Sequence, residues 1–276
     1  MSELNGFVYD MPMEDYRKVP ALNGSAIIHM RRSPMQYLHA LENLSLETVA
    51  TRLGTATHKL ILEPKTVLDF EVWGKEEDQK VRRGKVWDAF EAQHAGKHIV
   101  TEGEWNAICD ISSAANRHPL ASKYIHAQGK TEVCMFWQHP YTKRRMKARI
   151  DKLSGNTIID LKTTRDSRPF RFGPQAHNLG YVVKMALYAQ GFEILTGKKP
   201  QVKLIALESK PPYEGVVYDV SEEKRLIGLE ELDKLIDRLS ECEKANHWPA
   251  AYEMEEDLPL PAWASYEAET ELELEV

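Results

Sequence analysis

What the chain has little of narrows its function first. Its three cysteines, Cys109, Cys134 and Cys242, are widely separated. No pair has the spacing of a zinc or iron–sulfur ligand set, and an odd number closes no disulfide framework. They read as free thiols of a reducing cytoplasm. Positive charge is also short, with 36 basic residues against 42 acidic ones and a formal net charge of −6. A protein that coats nucleic acid through net charge is thereby excluded, and any nucleic-acid function needs its cations gathered locally. No apolar run reaches membrane-spanning length, so no membrane partner is expected. The opening MSELNGFVYDMPMEDY carries acids and no apolar segment, and a signal peptide is not expected. The 276 residues suffice for a substantial core. They divide into an extended arm (1–21), one main domain (22–248) and an acidic tail (249–276).

What is present centres on residues 146–164, MKARIDKLSGNTIIDLKTT. Lys147, Arg149 and Asp151 alternate with Ala148 and Ile150, which is the period of a strand. Ser154-Gly155-Asn156 is a turn signal. Thr157-Ile158-Ile159 then forms an apolar, β-branched run that ends in Asp160-Leu161-Lys162. Side chains alternate between faces, so Asp160 and Lys162 share one face and Leu161 takes the other. Asp151 falls beside Asp160 across the hairpin. Two carboxylates so placed repel, and one is pushed towards protonation. A hard divalent cation such as Mg²⁺ relieves the conflict. A surface hairpin with solvated charges is the plain alternative, and the apolar run before Asp160 argues for an interior strand instead.

Around this hairpin the pattern is mixed α/β. Strands are predicted over 131–139, 143–151, 157–162, 202–208 and 215–220. Helices are predicted from Ser25 as N-cap, over 49–63, from Thr101 as N-cap to about 116, over 120–127, as one long helix over 174–195 closed by Gly197, and from Ser221 to about 246. Gly54 inside the second helix costs about 1 kcal/mol against Ala, so its small size should serve close packing or ligand access. His58 lies one turn later on the same side, as a packed histidine or a ligand. Glu132, on the first main strand, either supports the acidic site or pairs across the strands with Lys147 or Arg149. Tyr181, Lys184 and Tyr188 share one helix face.

Arg149-Ile150-Asp151 followed by Ile158-Ile159-Asp160-Leu161-Lys162-Thr163-Thr164 resembles the core of the PD-(D/E)xK nucleases. Gly54-Thr55-Ala56-Thr57-His58 matches a G-x-x-x-H element of that superfamily. The helix from Tyr181 to Tyr188 matches the one that follows its D-x-K strand. The wording G-T-A-x-H-x-x-x-L-E-P is most similar to the RecE (exonuclease VIII)-like exonucleases, over about residues 22–244. The absence of clustered cysteines separates the chain from relatives that hold an iron–sulfur cluster.

The resemblance implies a mixed sheet flanked by helices with a restriction-endonuclease-like core. It also implies hydrolysis of DNA by a metal-dependent exodeoxyribonuclease. His58, Asp151, Asp160 and the Leu161 carbonyl would hold Mg²⁺, with Mn²⁺ a natural substitute given the imidazole. Lys162 would act in catalysis beside the two aspartates, with Glu132 in support. Arg82, Arg83, Arg165, Arg168, Tyr181, Lys184 and Tyr188 become candidate DNA contacts, although Lys184 stands where relatives carry Gln. The family's habits further imply 5′-to-3′ action on double-stranded DNA ends, a ring-shaped homo-oligomer, commonly a tetramer, and a RecT-type single-strand annealing partner in the recombination of a phage inside its bacterial host. A different PD-(D/E)xK nuclease and a non-catalytic DNA-end clamp are the rival readings.

Overall fold

The computed structural model describes residues 4–42, 49–76, 81–254 and 257–260, with the backbone alone at 49–52 and 68. Strands are β1 (Gly6–Val8), β2 (Phe70–Trp73), β3 (His98–Thr101), β4 (Lys130–Gln138), β5 (Arg145–Ser154), β6 (Thr157–Thr164), β7 (Gln201–Glu208) and β8 (Gly215–Asp219). Helices are α1 (Met13–Lys18), α2 (Gly24–Ile27), α3 (Pro34–Glu42), α4 (Val49–Leu62), α5 (Lys85–Gln93), α6 (Glu102–Arg117), α7 (Pro119–His126), α8 (Pro169–Asn178), α9 (Tyr181–Thr196) and α10 (Glu222–Ala245).

The main sheet has six strands in the order β1-β4-β5-β6-β7-β8. Only β6 and β7 run parallel, and α8 and α9 form the crossover that parallel neighbours require. Alternation puts Ile158 of β6 on one face, among Val133, Ile150 and Leu204, under α9 and α10. Ile159 and Leu161 go to the other face, against Ile61 of α4, Ile111 of α6 and Ile125 of α7. The fold is therefore the mixed sheet between helical layers that the sequence suggested.

The departures have local causes. Residues 1–21 are not only an arm: Gly6–Val8 pair antiparallel with β4 and extend the sheet, and Tyr16 of α1 packs on Cys134 and Phe136. The N-cap of α2 is Asn23 rather than Ser25, its side chain accepting from Ala26 N at 2.9 Å. The single helix expected over 174–195 is two, because the chain turns at Leu179-Gly180. Gly180 has φ 69°, and a Cβ there would lie 2.3 Å from Ile28 Cδ1, so both backbone and packing require glycine. α8 starts at Pro169, so the candidate contacts Arg165 and Arg168 lie in the segment just before it. β2 and β3, a separate parallel pair, were not anticipated. Thr101 and Ser221 are N-caps as expected, Thr101 in a full capping box with Glu104. Residues 77–80, ahead of the candidate contacts Arg82 and Arg83, lie outside the described residues, as does the tail from 261.

Candidate active site

The site lies where two strands part. β5 and β6 pair only through Lys152–Ile159, Leu153–Ile158 and Ser154–Thr157, although both strands continue. The next rung would join Asp151 to Asp160. Instead Asp151 Oδ2 accepts the Leu161 N–H at 2.8 Å. Asp160, only 2% exposed, accepts from the Lys162 ammonium, which also donates to the Leu161 carbonyl at 3.0 Å. From the opposite layer α4 brings His58, with Nδ1 3.4 Å from Asp151 Oδ2. The hairpin's own residues thus meet a histidine some ninety positions earlier in the chain.

Burial dominates the electrostatics. It raises Asp151 above the usual carboxylate range, with Lys162 and the Leu161 N–H pulling the other way. It raises Asp160 too, and the neighbouring Asp151 charge adds to this while Lys162 opposes it. Burial alone would lower Lys162, but Asp160 and Asp151 outweigh it and hold the lysine charged. His58 is pushed down to about 4, by burial and then by Lys162, with Asp160 opposing, so it is a neutral imidazole.

The first turns of α9 form one wall. The Tyr181 ring lies 5.3 Å from Lys162 Nζ and 5.7 Å from Lys184 Nζ. Burial and then Lys162 bring Lys184 down to about 8. Tyr188 is raised well above its ordinary value by burial and by both aspartates. These three side chains are half-buried and close the site, rather than standing out as an open stacking surface. Gly24 backs the wall, since a Cβ there would meet Lys184 Cγ at 3.0 Å. Among the described residues an added Cβ at Gly54 would touch Thr163 Oγ1, at 3.4 Å.

Glu132 takes the cross-strand role. Its carboxylate accepts from Arg149 Nε, and Arg149 Nη1 donates to the Met11 carbonyl at 2.7 Å. Glu132 has φ 52°, in the left-handed region, and the β4–β5 rung that would join it to Asp151 is missing. Such a conformation costs about 1 kcal/mol or more for a side chain of this kind. It still lies within electrostatic reach of Asp151. Glu63 is the last residue of the helix predicted over 49–63. It accepts from Thr131 Oγ1 at 3.0 Å and adds a third carboxylate to the Glu132–Asp151 side. The one signal for it was its place in the Leu62-Glu63-Pro64 wording.

The basic candidates separate. Arg82 is committed to Glu104 at 2.7 Å and lies over the Trp87 ring, a structural tie rather than an open phosphate contact. Arg83 and Arg165 are exposed. Arg168 is exposed but held by Asp166.

The donor chemistry suits a divalent cation. Buried Asp160, half-buried Asp151 and a peptide carbonyl are hard oxygen ligands, the carboxylates' mutual repulsion is relieved by such a charge, and the neutral imidazole can add nitrogen. Among the described residues no three His, Cys, Asp or Glu side chains form a closed ligand set. Asp160 and the Leu161 carbonyl are engaged by the Lys162 ammonium, which already supplies the positive charge there.

An aspartate on one strand and D-x-K on the next, at a strand fork in a mixed sheet, is the arrangement that gives the PD-(D/E)xK nucleases their name, and this chain is of that class. Nucleases of the class typically use divalent metal ions. Residues 24–256 match the model of the family described as PDDEXK-like domain of unknown function (DUF3799), and the chain belongs to that family. Its fold is similar to a crystal structure from Eubacterium rectale described as "Putative exonuclease", with a TM-score of 0.63 and 12% identity over 92% of this chain and 96% of that one. No curated protein matches the chain significantly. Among the described residues no helix is long and apolar enough to cross a membrane.

Proposed function

We propose that the chain is an exonuclease of double-stranded DNA ends, acting 5′-to-3′ with Mg²⁺ and leaving 3′ single strands. The observation that carries hydrolysis is the Lys162 ammonium seated on buried Asp160 beside Asp151, where the strands fork. Preference for ends and polarity is supported by the RecE-like wording from Gly54 to Pro64, and the Eubacterium rectale protein's description as an exonuclease agrees with action on ends.

His58, Asp151, Asp160 and the Leu161 carbonyl would hold the cation, and Mn²⁺ would substitute. When bound, the ion supplies Lewis-acid polarisation of the scissile phosphate and a water of lowered pKa. Asp151 stays oriented by the Leu161 N–H. Lys162 holds the attacking water and places its charge where negative charge grows in the transition state. Tyr181 and Tyr188 exclude solvent, which strengthens these interactions. In a ring of subunits the exposed Arg83, Arg165 and Arg168 would face the DNA while the acidic α10 faced outward, which reconciles DNA binding with a net charge of −6. The product strand suits a RecT-type annealing protein, and the site of action is the cytoplasm of a bacterial host during phage recombination.

Digestion of 5′- and 3′-labelled linear duplexes, and of closed circles, with Mg²⁺, Mn²⁺ or EDTA tests this reading. The 5′ label should be released first with either ion, circles should survive, and EDTA should stop the reaction. Cleaved circles would make the protein an endonuclease. Early release of the 3′ label would reverse the polarity, and binding without hydrolysis would make it an end clamp.

A further inference from the structure

Phe170 lies on the first turn of α8 with 65% of its surface exposed. It is not a stray surface residue, because two guanidiniums are placed on its ring, Arg168 at 4.9 Å and Arg171 at 5.7 Å. Arg168 is itself fixed by Asp166: Nε donates to Oδ1 at 2.9 Å and to Oδ2 at 3.2 Å, and Nη2 donates to Oδ2 at 2.5 Å. Both cations lie over the ring, and most of the residue's surface is still open to solvent.

Its position ties it to the active site. Two residues further along α8, the Phe172 ring is buried 6.3 Å from Tyr181. Tyr181 in turn lies 5.3 Å from Lys162 Nζ. The inner face of this turn therefore reaches the catalytic lysine through a single aromatic neighbour, and the outer face presents Phe170. A base inside a duplex already has both faces stacked. Only an unpaired base, at a frayed end or in a single strand, has a π-face to offer, and stacking on an aromatic ring holds it without regard to sequence. Guanidiniums beside such a ring suit the adjoining phosphates.

We infer that Phe170 is a stacking platform for an unpaired terminal base, with Arg168 and Arg171 on its flanking phosphates, so that the protein distinguishes an opened DNA end from a blunt one. This deepens the proposal that the protein acts on DNA ends and rests on it.

The test is a four-way affinity measurement in EDTA, where no hydrolysis is expected. Wild type and Phe170→Ala are each titrated with a duplex carrying two unpaired 5′ nucleotides and with the same duplex made abasic at those two positions. Wild type should bind the base-bearing end about 5- to 150-fold more tightly than the abasic end, the span of one stacked base. Phe170→Ala should lose that preference and bind both ends like the wild type binds the abasic one, while Phe170→Trp should keep the preference. Phe170 is exposed, so its melting temperature should not move. Equal binding of both ends by wild type would overturn the inference. So would an equal loss on both ends in Phe170→Ala, since that marks a general charge or folding effect. The labelled-duplex digestion reports the nuclease reading separately, so a flat affinity cycle with intact hydrolysis would remove Phe170 alone.

Discussion

Lys147 and Lys162 lie on neighbouring strands and are both withdrawn from water, yet the fold satisfies them in opposite ways. Lys147, 4% exposed, gives its three protons to backbone carbonyls of Tyr16, Arg17 and Val19 at 2.9, 3.2 and 2.7 Å, beside the Tyr16 ring. All those partners are neutral, and burial lowers its pKa. Lys162 gives its protons to a carboxylate and a carbonyl, and the aspartates hold it charged. The first lysine is a staple, binding the last turn of α1 and Val19 to β5. The second balances carboxylates that burial makes uncomfortable, so its charge can be shared with whatever enters the site. What separates them is the partner rather than the burial.

Breaking the acidic side should have the largest effect. Asp160→Ala should lower turnover by about three orders of magnitude or more, since it removes a ligand of the Lewis acid. Its melting temperature should change little, because a buried, repelled carboxylate is gone while Lys162, which loses that partner, keeps Asp151 beside it. A normal rate in a normally folded variant would sink the assignment. Lys162→Ala should lower turnover by about 10²- to 10³-fold, with DNA affinity measured in EDTA little changed. A loss confined to affinity would make Lys162 a phosphate anchor.

Lys147→Ala should give the reverse signature. Three carbonyls lose their donor, so the unfolding free energy should drop by about 2–4 kcal/mol. Turnover per folded molecule at low temperature should hold to within about twofold. If denaturant melts show no loss, the contrast between the two lysines fails.

His58 refines the comparison through pH. In metal-free protein it titrates near 4, against an ordinary value of 6.5, so the unfolded chain takes up this proton first. Its stabilising contribution is complete above about 6.5 and is lost as pH falls towards 4. His58→Gln should flatten that fall by up to about 1.4 kcal/mol per pH unit, one proton's share. Urea unfolding of both proteins between pH 7 and 4 measures it, and the aspartates' opposite contribution is common to the pair. Identical slopes would place His58 in ordinary solvent.

The smallest effect should come from Arg82→Ala, about 1 kcal/mol of stability from the lost Glu104 tie, with little change in DNA affinity. An affinity loss exceeding the stability loss would return Arg82 to the phosphates.

The sequence by itself determined what depends on neighbours along the chain. Alternation through residues 146–164 marks the hairpin and puts Asp160 and Lys162 on one face, because strand period is local. N-caps at Thr101 and Ser221 start helices, and the αL residue Gly197 ends one, for equally local reasons. Only the tertiary structure decided that β5 and β6 part at Asp151, that α4 delivers His58 there, and that Glu132 turns to Arg149. A three-residue strand such as β1 has too few positions to show a period, and its pairing with β4 spans some 130 residues. Helical periodicity runs through 174–195 without a gap, so the break at Gly180 shows only once Ile28 is packed against it. The D-x-K spacing already sets Lys162 beside a carboxylate two residues away. That Lys147, another strand cation, meets the carbonyls of Tyr16, Arg17 and Val19 is set by contacts between segments some 130 residues apart, and no local pattern carries that information.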